Sequence, residues 1–124
     1  MRDYDELGMN QEWVPHLMYF QPRNAALKSV SSVEFGFRNT TGVKPGAPTA
    51  LLVGGSSVFG IGATSDAMTI PSLLNATTKY NWRNLGGRAF NSTQEAILVH
   101  LSNAKKIEGS PGVVSSASGC TWRP

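Results

Sequence analysis

The stretch Gly54-Gly55-Ser56-Ser57-Val58-Phe59-Gly60-Ile61-Gly62 carries the densest potential for chemistry in this 124-residue chain. It follows a continuous apolar run and precedes a segment of helical periodicity, the place where open α/β sheets bind their ligands. A Walker-type phosphate loop needs a lysine directly after its last glycine, but Gly60 is followed by Ile61, which excludes that chemistry. The dinucleotide fingerprint G-x-G-x-x-G is excluded as well, because the glycines fall at 55, 60 and 62. Two chemistries remain. In one, a serine on a tight strand-to-helix turn is presented at the sheet edge as a nucleophile, with backbone amides nearby to stabilise an oxyanion. In the other, Ser56, Ser57, Thr64 and Ser65 join backbone amides in holding the phosphate of a flavin, without any enzymatic step. A second loop, Asn84-Leu85-Gly86-Gly87, would lie beside the first in the same topology and offer a further backbone donor.

The elements that must position these loops are legible from about residue 50 onward. Ala50-Leu51-Leu52-Val53 is unbroken by polar residues, as expected of a strand buried on both faces of a parallel sheet. Thr69 is placed to cap a helix whose inward stripe would be Ile70, Leu73, Leu74 and Thr77, with Pro71 in its first turn. Residues 82–85 read as a second strand. Ser92-Thr93-Gln94-Glu95 has the spacing of a capping box, with Glu95 as partner of the cap, for a second helix buried through Ile97, Leu101 and Ala104. Residues 112–116 complete a strand, helix, strand, helix, strand order, hence an α/β fold with right-handed crossovers. Three strands leave a sheet edge open, and open edges invite pairing with another chain. Residues 1–48 read as an irregular lead-in, since Pro15, Pro22, Pro45 and Pro48 interrupt every period. Its cluster of Trp13, Leu17, Tyr19 and Phe20 is expected to pack on the following domain, residues 49–124.

Composition narrows the function classes. The hydrophobic fraction of 40% suits a packed core, and no apolar span is long enough to cross a bilayer. Eleven Lys and Arg against eight Asp and Glu give +3, but the basic residues are scattered, so no nucleic-acid surface is predicted. The single cysteine, Cys120, rules out an internal disulfide and any multi-thiolate zinc site. The start Met-Arg-Asp-Tyr-Asp-Glu lacks a secretory signal, which points to the cytoplasm.

Taken together, the first loop, then Asp66, Thr69, Pro71 and Leu74, then Asn84-Leu85-Gly86 with Ser92 and Gln94-Glu95, resemble the opening of an SGNH/GDSL-type hydrolase domain. The preceding Glu34-Phe35-Gly36-Phe37-Arg38-Asn39-Thr40 is similar to a lead-in found before that first block. The resemblance runs over most of residues 34–119. It implies a three-layer, flavodoxin-like fold, of which this chain would supply about three parallel strands and two helices. It also implies a serine esterase or acyl hydrolase acting on a small acyl ester or an acylated carbohydrate, with no cofactor. Ser56 falls on the family's nucleophile, and its amide on the first oxyanion donor. Gly86 falls on the second donor, and Thr121 stands where the family has an asparagine as the third, supplying a hydroxyl instead of an amide. The family's general base comes from a D-x-x-H block, but no aspartate follows Asp66 here, and His16 and His100 have Trp13 and Ile97 three residues before them. The chain is therefore expected to be the N-terminal, truncated portion of such a domain, weakly active or inactive by itself.

The remaining polar residues have ordinary readings beside functional ones. His100 reads as a helix-border residue, and Asp66 as a turn or helix-entry residue. Arg38, Arg83 and Arg88 would either meet an anionic substrate or be common surface arginines. Trp13 and Tyr19 would either line a carbohydrate site or pack, and packing is the expectation.

Overall fold

The computed structural model describes residues 2–33, 35–104 and 111–116. Its first element is one that the sequence pattern does not announce. Helix α1, Arg2–Met9, buries Tyr4 and Leu7, so the lead-in is not irregular throughout. Eight residues with two inward side chains are too few to show a period, and so short a helix owes its stability to tertiary packing rather than propensity. A hairpin of β1, Glu12–Val14, and β2, Met18–Phe20, follows, pairing Glu12 with Phe20, Trp13 with Tyr19 and Val14 with Met18. His16 and Met18 take left-handed φ values of 69° at its turn.

Next come β3, Thr49–Gly54; α2, Ser56–Phe59; a 3-10 turn, Asp66–Met68; and α3, Ile70–Thr77. The chain then forms β4, Asn81–Gly86; α4, Ser92–Ala104; and β5, Pro111–Ser116. The three longer strands make one parallel sheet in the order β4-β3-β5, so the protein is α/β with a parallel sheet. Every residue of β3 is buried, as its unbroken apolar run requires of a central strand. Leu51, Val53 and Leu85 join Leu98 of α4 and Leu17 and Phe20 of the hairpin in one core. Phe20 stacks on Phe90 at 5.9 Å and meets Phe37 edge-on at 5.5 Å. The pleat turns Ala50, Leu52 and Asn84 the other way, and Asn84 reaches the backbone of α2. A second core joins Tyr4 and Leu7 of α1 to Val30 and Phe59.

Two helix expectations are corrected. In α3 the buried residues are Pro71, Ser72 and Asn75, while Ile70 and Leu73 of the expected inward stripe are 45% and 50% exposed. Hydrogen-bond closure decides the orientation. Asn75 donates to Thr41 O and accepts from Trp82 N–H, and Ser72 accepts from Thr41 N–H and donates to Asp66 O. Turning the leucine face inward would leave those backbone groups buried without partners, at about 1–3 kcal/mol each. Thr69 occupies the cap position without a capping bond, its hydroxyl going to Asp66 O and Ser72. In α4 the capping box is shifted by one residue: Asn91 N–H donates to Gln94 Oε1 and Gln94 N–H to Asn91 Oδ1. Glu95 is instead buried. The inward side of α4 centres on Leu98, flanked by the half-buried Ile97 and Leu101, and the side chain of Ala104 lies outside the described residues.

The outer edge of β4 is covered. Arg38 forms an antiparallel bridge to Asn84, Asn75 takes the Trp82 N–H, and Asn81 exchanges hydrogen bonds with the backbone of Lys44. These contacts protect one edge of the sheet from pairing with another chain. Among the described residues, no helix is long and apolar enough to cross a membrane.

Helix α1 is tied down by Asp3, whose carboxylate accepts from Ser29 N–H at 2.7 Å and Ser29 Oγ at 2.8 Å. Those bonds hold the Asp3 carboxyl below its ordinary pKa, so their contribution is complete above the unfolded value near pH 4 and is lost as pH falls through the lower folded value. The wild-type chain should melt higher than Asp3→Asn at pH 6, and the gap should close on acidification below about pH 4. Thermal melts of both proteins by circular dichroism across that range check this.

Candidate functional site

Strand β3 delivers its last residue, Gly54, opposite Gly86 at the end of β4, and Gly87 N–H closes the pair by donating to Gly54 O at 3.0 Å. Two residues on, Ser56 is the first residue of α2 and is exposed. Among the described residues its hydroxyl has no hydrogen-bond partner. The turn beneath it is closed by Phe59 N–H to Gly55 O, and by Gly60 and Ile61 N–H to Ser56 O, at 2.9–3.1 Å. Gly60, at φ 86°, takes the left-handed conformation that ends α2 and returns the chain.

What fixes this turn is Arg38. Its side chain is fully buried, which corrects its reading as a surface arginine or a substrate contact. Its Nη1 donates to Phe59 O and Gly60 O at 3.0 and 2.8 Å and to the Tyr4 hydroxyl at 3.2 Å. Its Nη2 donates to Ser29 O, and its Nε forms an ion pair with Asp66 at 2.8 Å. The guanidinium also lies over the rings of Tyr4 and Phe59. Asp66, at the start of the 3-10 turn, accepts in addition from Ser31 N–H and Ser31 Oγ. Five donors in a rigid fork suit such a node, and lysine, with three donors on a single nitrogen, would not replace it.

Asn84 secures the other side. Its Nδ2 donates to Val58 O at 3.0 Å, and its Oδ1 accepts from Gly86 N–H at 2.9 Å. Gly86 is buried, and a Cβ there would lie 2.2 Å from Phe59 N and 2.7 Å from Val58 C. Only glycine lets the backbone of α2 rest on β4 at this point.

Of the oxyanion donors that the resemblance implies, the Ser56 amide stands at the start of a helical turn, where N–H groups have no intrahelical acceptor. The Gly86 amide already donates to Asn84, and Thr121 lies outside the described residues. The loop beyond Gly87 bends back through Ala89, left-handed at φ 57°. It also brings Phe90 O within 3.7 Å of where a Cβ on Gly55 would sit. Neither histidine joins Ser56: His16 is exposed in the hairpin turn and His100 is exposed on α4. Ser57 is likewise exposed in α2, whereas Thr64 and Ser65 follow Gly60 in the chain and lead into the 3-10 turn. Among the described residues, no three His, Cys, Asp or Glu gather where they could hold a metal ion. Sequence reasoning missed Arg38 as the organising residue, because a lone arginine, here between Phe37 and Asn39, carries no signal that its charge will be buried and paired with a distant carboxylate. No protein-family model matches this chain, and no curated protein matches it either.

Two substitutions test this architecture. Arg38→Met should cost about 3–5 kcal/mol, because it strands the Asp66 carboxylate and several carbonyls. Gly86→Ala should cost about 1–3 kcal/mol or more through overpacking against the α2 backbone. Urea unfolding monitored by fluorescence measures both, and a loss under 1 kcal/mol in either would contradict the role given to it.

Proposed function

We propose that this chain carries the nucleophile end of an SGNH-type serine ester hydrolase. The observation that carries the reading is the exposed Ser56 hydroxyl, unpartnered among the described residues, just beyond the C-terminal end of the central parallel strand, which ends opposite Gly86. The strand order β4-β3-β5 is also the order expected of the first three strands in a three-layer, flavodoxin-like sheet.

In this proposal, Ser56 Oγ adds to the carbonyl carbon of a small acyl ester. The hydroxyl proton passes to a base, and the carbonyl oxygen becomes an oxyanion facing the Ser56 amide. Gly86 N–H contributes as a second donor by sharing its hydrogen between Asn84 Oδ1 and the oxyanion. Collapse of the adduct breaks the ester C–O bond, releasing the alcohol with a proton and leaving an acyl-serine. Water then hydrolyses that intermediate to the carboxylic acid and the free serine. With neither His16 nor His100 beside Ser56, proton transfer is the weak step, and turnover by this chain is slow. The hydroxyls of the same loop support a second reading as a flavin-phosphate site, which involves no covalent step.

Intact-mass analysis after incubation with a fluorophosphonate probe tests the proposal. A single slowly forming adduct is expected on the folded wild-type chain and none on Ser56→Ala. An unlabelled wild-type chain, or equal labelling of the variant, would overturn the nucleophile assignment. Saturable binding of flavin mononucleotide by an unlabelled chain would favour the second reading.

A further inference from the structure

The hairpin reverses one expectation in a way that points to a ligand. Of the four large residues expected to pack, Leu17 and Phe20 are buried, but Trp13 and Tyr19 are 67% and 57% exposed. Strand alternation explains the split, since Phe20 facing the core turns Tyr19 outward. Trp13 and Tyr19 are direct cross-strand partners, so both rings stand on the same face of the ribbon.

Tyr19 is also part of the wall of a cavity of about 700 Å³ between α1, the hairpin and the loop from β4 to α4. That volume is in the range of small-molecule sites. Its polar wall is built from planar groups: the Asp5 carboxylate, the Arg88 guanidinium and the Asn91 and Gln11 amides. Arg88 is braced by its Nη1 bond to Tyr4 O at 2.7 Å, and among the described residues it has no carboxylate partner. Asn91 spends its Oδ1 on Gln94 N–H, and among the described residues its amide donors have no partner. Planar groups with two donors or acceptors match neighbouring hydroxyls on a ring, and an aromatic face matches the C–H face of that ring. Charges of both signs disfavour a multiply charged anion, while Met9 and Met18 add apolar surface that suits the C–H faces of a ring.

We propose that this cavity, with Tyr19 as its stacking platform and Trp13 extending it, binds a saccharide. The loop that lines the cavity through Arg88, Ala89 and Asn91 also meets Gly55 through Phe90. Resting on the ester-hydrolase reading above, the bound sugar is the carbohydrate part of an acylated substrate whose ester reaches Ser56.

Isothermal titration of the full chain with cellohexaose, xylohexaose and chitohexaose tests this. Saturable binding to at least one is expected. Tyr19→Ala should weaken it about tenfold, equivalent to about 1.4 kcal/mol, and Asp5→Asn should weaken it severalfold. Both residues are exposed, so both variants should keep the wild-type melt. Absence of binding, or binding indifferent to Tyr19→Ala, overturns the proposal. So does a dimer that Tyr19→Ala dissociates in a chain that binds no sugar, which would make the aromatic pair a contact between copies. Sugar binding without fluorophosphonate labelling would retain the saccharide site and remove the hydrolase reading. Labelling without sugar binding would do the reverse.

Discussion

A single buried cation organises this protein. The Arg38 guanidinium is withdrawn entirely from water, which is tolerable only because Asp66 neutralises it and carbonyls from two separate segments, with the Tyr4 hydroxyl, take its donors. Its partners are the lead-in at Ser29, helix α1 at Tyr4, the end of α2 at Phe59 and Gly60, and the 3-10 turn at Asp66. None of these segments could stay in place by itself. Helix α2 has four residues and α1 has eight, both too short to persist without tertiary support. The node converts them into a fixed wall around the turn that presents Ser56.

Asn84 and Gly86 act on the same turn from the sheet side. The amide of Asn84 ties α2 to β4, and the missing side chain of Gly86 allows the two backbones to touch. Ser56 is held this way by main-chain packing rather than by its own hydrogen bonds, and among the described residues its hydroxyl has no partner. The Gly86 amide is itself committed to holding the second loop together, through its bond to Asn84 Oδ1.

The lead-in is more than a cover. Phe20 and Leu17 complete the core over β3 and β4, Arg38 bridges to the β4 edge, and Gln94 Nε2 bonds Leu17 O to fasten the hairpin to α4. Burying a side chain such as Phe20 contributes about 1.5–3 kcal/mol. The same alternation that buries it exposes Tyr19 beside a cavity, so the packing of the hairpin and the composition of that cavity follow from one register.

The sequence by itself determined the elements whose signal is local. The run Ala50–Val53 required a central strand, Gly54-Gly55 and Gly60 required turns around Ser56, and the α/β order followed from the alternation of periods. What it could not determine was every choice that depended on a distant partner. The inward face of α3 was decided by Thr41 and Trp82 across the fold, against the helix's own apolar stripe. The cap of α4 was decided one residue earlier than its spacing suggested, and helix α1 exists because Val30 and Phe59 receive its side chains. The burial of Arg38 depended on Asp66, 28 residues away, and on carbonyls that only the folded chain assembles. Periodicity reports which residues prefer to leave water. Which buried donors and acceptors must then be satisfied is settled only when the segments meet, and there the cost of an unmade hydrogen bond outweighs the gain from a buried methyl group.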